Sequence, residues 1–104
     1  MTTAEVLRAA RAKIERGWCQ GAIARTSRGD AVFHDSPTAR SWCVAGAIRC
    51  ITINDPAARA AADAEVARAV GSSYIGDWND ERGRTKEQVL AAFDGAIAAA
   101  EAGA

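Results

Sequence analysis

The sequence predicts a helix-dominated α+β fold, about four helices around a buried central helix with one small β-hairpin, and three observations lead there. Apolar residues recur at three- and four-residue steps in two segments, Val6, Leu7, Ala10, Ile14 and Trp18 near the start and Val89, Leu90, Phe93, Ile97 and Ala100 near the end. A capping residue followed by proline stands at Asp35-Ser36-Pro37 and again at Asn54-Asp55-Pro56, where a helix can begin without losing a needed backbone donor. From Trp42 to Ile53 the chain is apolar or small all round except for Arg49 and Thr52, the pattern of a helix enclosed by others.

Each element follows in order. Thr2-Thr3-Ala4-Glu5 has the spacing of a capping box and opens the first helix. Gly17 is the expected stop, since glycine accepts the left-handed conformation that closes helices. Trp18–Arg25 and Ala31–His34, separated by the turn-rich Thr26-Ser27-Arg28-Gly29-Asp30, read as a hairpin. The cap at Asp35-Ser36 with Pro37 predicts that the central helix begins there and buries Trp42, Cys43, Ala47, Ile48 and Ile51, with Gly46 admitting a neighbour at close range. Asp55-Pro56 opens an alanine-rich helix with Ala62, Val66 and Val70 as its inner stripe and Gly71 as its stop. Residues 72–84 show no helical or strand period and read as a long ordered loop. Thr85-Lys86-Glu87-Gln88 is a second capping box, opening the last helix.

A chain of 104 residues with 49% apolar and 25% charged residues is expected to fold as a single domain, 1–104, without staples or metal. Formal net charge is zero, which removes the long-range attraction that nucleic-acid binding relies on. The halves differ, however: residues 1–52 carry eight Arg/Lys against four Asp/Glu, and residues 53–104 carry five against nine. The chain shows neither a basic, apolar secretory start nor an apolar run long enough for a membrane span. Cys19, Cys43 and Cys50 are odd in number and lack the spacing of a disulfide framework, so reduced thiols in a cytoplasm are expected.

Trp18-Cys19-Gln20-Gly21-Ala22 is echoed by Trp42-Cys43-Val44-Ala45-Gly46-Ala47, an echo read as coincidence of composition rather than duplication. With Gly17 before the first, and with Trp78-Asn79-Asp80 followed by Gly83-Arg84-Thr85, these motifs resemble a family of small uncharacterised domains encoded in bacterial and phage genomes. The resemblance spans nearly the whole chain. It implies a cytosolic bacterial or phage protein, and it transfers no catalytic or binding residue. His34 stands outside the family's pattern.

Constellations that carry chemistry are sparse. A thiol nucleophile needs a base and a setting that lowers its pKa. Cys43 and Cys19 are the candidate nucleophiles, and His34 is the only imidazole to serve them. A helix starting after Ser36 would leave Cys43 two turns inside, beyond the useful reach of the dipole, whereas the alternative start with Ser41 as cap would place it in the first turn and favour a thiolate. Cys43 and Cys50 are too far apart along one helix to share a tetrahedral metal, and Asp77, Asn79, Asp80 and Glu81 start like a calcium loop but lack its glycine and closing glutamate. Hence no metal and no cofactor is expected. The reading that results is a small soluble binding or regulatory protein acting through a protein partner, an antagonist of a host protein being one form of it. Its expected contact loop is Tyr74, Asp77, Trp78, Asn79 and Asp80, because aromatic loop residues suit protein recognition; the equal alternative is that Trp78 plugs the core while Asn79 and Asp80 shape the turn before Thr85. A thiol-dependent enzyme using Cys43 or Cys19 is the alternative.

Overall fold

In the computed structural model, which describes residues 1–103, Thr2 and Glu5 form the expected capping box and open α1 (Thr3–Arg16). The backbone N–H of Glu5 donates to Thr2 Oγ1 at 3.1 Å and that of Thr2 donates to Glu5 Oε1 at 2.7 Å. Gly17 ends the helix, but in extended backbone with φ −175°, not in the left-handed region. Its lack of a side chain is needed for another reason. A Cβ there would overlap the Arg40 carbonyl oxygen and sit 3.0 Å from Ser41 Cα.

The expected hairpin is present but short, β1 (Ala24–Arg25) against β2 (Ala31–Val32). Thr26 N donates to Asp30 O at 2.9 Å across the turn, where Gly29 takes φ +89°. A third strand, β3 (Ser41–Trp42), pairs antiparallel with β1 on its other side, giving the order β2-β1-β3. This strand corrects the expected start of the central helix. Pro37 lies in a turn in which Ser36 N donates to Phe33 O and Ala39 N to Ser36 O, and Asp and Ser before proline initiate turns as readily as helices. Residues 40–43 are then held by backbone hydrogen bonds on two sides. Arg40 N donates to Arg25 O at 2.8 Å and Cys43 N to Ile23 O at 3.1 Å, while Trp42 N reaches Gly17 O at 3.0 Å. Cys19 N donates to Trp42 O, so the two Trp-Cys pairs lie beside each other in a parallel bridge.

The central helix, α2 (Val44–Ile51), therefore begins seven residues after Pro37, with Cys43 as its N-cap. Val44, Ala47 and Ile48 are fully buried, and Trp42 and Cys43 are buried as expected; Ile51 is only half-buried, since α2 ends there. Asp55 caps α3 (Pro56–Val70) through Ala58 N, and Gly71 closes it in the left-handed conformation, φ 70°. Ala62 and Val66 are buried, whereas Val70 packs at the edge. The expected loop 72–84 contains a short helix, α4 (Ile75–Asp80). Its buried pair, Ile75 and Asn79, stands at i,i+4 on one face, but one member is polar and the apolar period is broken. Thr85 and Gln88 form the second capping box and open α5 (Lys86–Ala102), which buries Val89, Phe93 and Ala96. One hydrophobic cluster takes residues from all five helices and from the sheet, so the sheet is a flange on a helical core, a helix-dominated α+β arrangement.

Gly46 is the tightest point of that core, because a Cβ there would overlap the carbonyl oxygen of Ile23 and lie 3.1 Å from its Cγ2. Gly46→Ala is expected to cost about 1–3 kcal/mol or more. Gly76→Ala, in α4 with no neighbour within 4 Å of the added methyl, should be neutral or stabilise by up to about 1 kcal/mol. Thermal unfolding of the two variants checks this, and an unchanged midpoint for Gly46→Ala would contradict the packing of α2 against Ile23, the residue before β1.

Candidate functional site

The residues expected to form a binding loop separate into two groups on α4. Asn79 is fully buried, and its carboxamide makes every hydrogen bond available to it. The oxygen accepts from Trp18 Nε1 at 2.8 Å and Val44 N at 3.0 Å, and the nitrogen donates to Cys19 O at 3.1 Å and Asp80 Oδ1 at 2.9 Å. Asp80 is exposed, yet its carboxylate also takes Gly21 N at 3.0 Å. Trp78 is half-buried against the core, and the Arg84 guanidinium lies 4.0 Å from its ring centroid while donating to the Trp78 carbonyl at 2.9 Å. The Trp78 ring is thus covered on one face by a cation. Tyr74, 73% exposed, and Asp77, exposed, are the two whose side chains make no hydrogen bond, ion pair or cation–π contact among the described residues. Asn79 and Asp80 hold the fold; Tyr74 and Asp77 face outward.

The thiols also separate. Cys43 sits at the N-cap of α2 rather than two turns inside it, and its Sγ accepts from Gly46 N at 3.3 Å. That contact favours a thiolate, but burial outweighs it and pushes the Cys43 thiol above its ordinary range. Cys19 is buried, its Sγ 3.7 Å from Ala22 O, and burial pushes its thiol up as well. His34 lines the concavity that holds the half-buried Cys50, one that neither Cys19 nor Cys43 lines. The structure therefore groups the imidazole with the cysteine that sequence reasoning had left aside.

Among the concave surfaces that His34 lines are two of different character. The first, about 760 Å³, is apolar along Ala22, Ile23 and Val32 and is overhung by Phe33, which is 81% exposed, with Arg49 at its edge. The second, about 480 Å³, is lined by Lys13, Arg16, His34, Arg40, Trp42 and Cys50, with Asp35 as its one carboxylate. A third concavity of about 630 Å³, between α1, α3 and α5, carries charges that are already matched, Arg8 with Glu101 at 2.6 Å and Arg68 with Glu65. Sequence reasoning missed the His34 region because its residues come from three separate segments. The available signal was the excess of cations in residues 1–52.

A family model described as "Family of unknown function (DUF6197)" matches residues 1–99. No curated protein and no solved structure matches the chain. Among the described residues no helix is long and apolar enough to cross a membrane.

Removing the Asn79 side chain leaves Val44 N–H, Trp18 Nε1–H and the Cys19 carbonyl without partners. Each stranded buried group costs about 1–3 kcal/mol, so Asn79→Ala should lower stability by at least about 3 kcal/mol in chemical denaturation, whereas Asp77→Ala should change it by less than about 0.5 kcal/mol. Thiol labelling gives an independent check. A raised pKa leaves less thiolate at neutral pH, so alkylation of Cys19 and Cys43 by iodoacetamide should be slow at pH 7 and rise only above the free-thiol value of about 8.5, with Cys50 modified first. Rapid labelling of Cys43 at pH 6 would instead mark it as an activated nucleophile.

Proposed function

Since the chain belongs to the DUF6197 family, whose function is unknown, we propose a role from its own surface: a small binding protein that acts by occupying a protein partner. In this reading it is a regulator in the cytoplasm of a bacterium, or an antagonist of a host protein carried by a phage or mobile element. The observation that carries the reading is Phe33, 81% exposed at the end of β2 above an apolar concavity. The chain has six aromatic residues, and an aromatic left in water beside further apolar surface suits an interface anchor. Arg49 at the edge supplies the polar rim such anchors commonly have. Tyr74 and Asp77 on α4 extend the contact set, since their side chains are not used inside the protein. Three free cysteines accord with a reducing compartment.

The test is affinity capture from the native host, identification of the retained protein by mass spectrometry, and measurement of its Kd with variants. Phe33→Ala should weaken binding about 30-fold or more while leaving stability within about 0.5 kcal/mol. Wild-type affinity for both Phe33→Ala and the Tyr74→Ala/Asp77→Ala double variant would remove protein binding by these surfaces.

A further inference from the structure

The second concavity at His34 has a chemistry different from that of the Phe33 surface. Lys13 and Arg16 are three residues apart on the last turn of α1. Arg40 reaches the same concavity from the segment before β3, its Nη1 held by Pro37 O at 3.0 Å and Ala39 O at 2.8 Å. Those bonds fix the guanidinium plane and leave its Nε and Nη2 edge without a partner among the described residues. Trp42 forms the floor. Its Nε1 donates to the His34 carbonyl at 2.9 Å, and the Lys13 ammonium sits 4.5 Å from its ring centroid, so both flanking residues are positioned by one buried ring. His34 Nδ1 is buried and has no hydrogen-bond partner.

Arg8, Arg11, Arg59, Arg68 and Arg84 each pair with a carboxylate; of the cations that form no ion pair among the described residues, Lys13, Arg16 and Arg40 line this one concavity together. Lys13 and Arg16 offset the negative end of the α1 dipole, which accounts for two cations on that turn. It accounts neither for Arg40, which comes from another segment, nor for the unpartnered imidazole nitrogen. Buried polar atoms are ordinarily satisfied, so the unpartnered imidazole nitrogen leaves hydrogen-bonding capacity unused beside this concavity.

We infer that this concavity, built from Lys13, Arg16, His34 and Arg40 over Trp42, is a binding site for a small organic phosphate monoester. The inference goes beyond the protein-partner reading and does not rest on it. Three cations against the single Asp35 carboxylate leave two positive charges, which match the dianion that a monoester carries above its second pKa of about 6. Arg16 and Arg40 bring planar forks suited to phosphoryl oxygens, and Lys13 brings a point charge. The volume of about 480 Å³ accommodates an organic body beside the phosphoryl group, within the range of about 300–1,000 Å³ usual for small-molecule sites. Cys50 lines the same wall and reports occupancy without taking part in binding.

The experiment titrates the full chain by calorimetry at low salt with phenyl phosphate, inorganic phosphate and benzoate, the last having the same ring with one charge. Phenyl phosphate is expected to bind at one site, more tightly than benzoate; inorganic phosphate should compete with it, and the affinity should fall as salt is raised. Arg16→Gln and Arg40→Gln should each weaken phenyl phosphate by about tenfold or more. Arg16 is exposed, so its variant separates loss of the site from loss of the fold. Saturating phenyl phosphate should also slow alkylation of Cys50. Equal affinity for benzoate and phenyl phosphate, no heat with any probe, unchanged affinity in both arginine variants, or unprotected Cys50 in the saturated protein would each overturn the assignment.

Discussion

The carboxamide of Asn79 ties together segments that share no regular pairing. Its oxygen stands at the point where Trp18, just past α1, approaches the first turn of α2, and takes a proton donor from each. Its nitrogen holds the Cys19 carbonyl. Val44 N–H is one of the orphan donors at a helix start, and it is satisfied here by a side chain 35 residues away. Gln20 adds a second tie, its Nε2 donating to the carbonyls of Asn79 at 2.9 Å and Glu81 at 3.1 Å. Without that stitch α4 has little reason to be helical: it is six residues long, has no side-chain cap, and isolated helices of that length do not persist in water.

Two glycines work with this polar centre from the opposite direction. Gly17 lets the end of α1 lie against the Arg40 carbonyl, and Gly46 lets α2 lie against the Ile23 carbonyl. Both contacts bring helix backbone onto the small sheet, and both acceptors belong to the segments that frame β1 and β3. The close approach is also what buries Cys43. A helix N-terminus ordinarily favours a thiolate, and the Gly46 N–H contact acts in that sense. Removal of solvent by the packed sheet is the larger effect and acts in the other. The cap is therefore a structural thiol, a small apolar group that happens to accept one weak hydrogen bond.

The molecule thus spends its polar side chains unevenly. At α4 the three residues with the most recognisable sequence signature are engaged within the fold, Asn79 and Asp80 through hydrogen bonds and Trp78 through the Arg84 cation. Around His34 the opposite holds. Phe33 lies in solvent, Lys13 and Arg16 at the end of α1 and Arg40 lack carboxylate partners among the described residues, and Arg49 Nε is buried without a hydrogen-bond partner. A fold of this size can leave such groups unmatched only where its stability does not depend on them, and the unmatched groups are then available for recognition.

What the sequence determined by itself was everything governed by neighbours a few residues away. The capping boxes at Thr2 and Thr85, the Asp55-Pro56 start and the left-handed Gly71 are closed by bonds spanning three or four residues, and the apolar stripes of α1 and α5 follow from helical period alone. The site was legible only as ingredients: an odd set of thiols, one imidazole, and a cationic first half. The tertiary structure decided the rest. It turned the Pro37 signal into a bend, because residues 40–43 gain backbone partners on both flanks that a helix would forfeit. It made a helix of Ile75–Asp80, whose inner face is completed by an asparagine that no hydropathy pattern marks as buried. It withdrew Asn79 from the surface and grouped His34 with Cys50 instead of Cys19 or Cys43. In each case the deciding contact joins residues distant in the chain, up to 61 positions apart for Trp18 and Asn79, and a polar group's fate depends on which distant partner arrives to satisfy it.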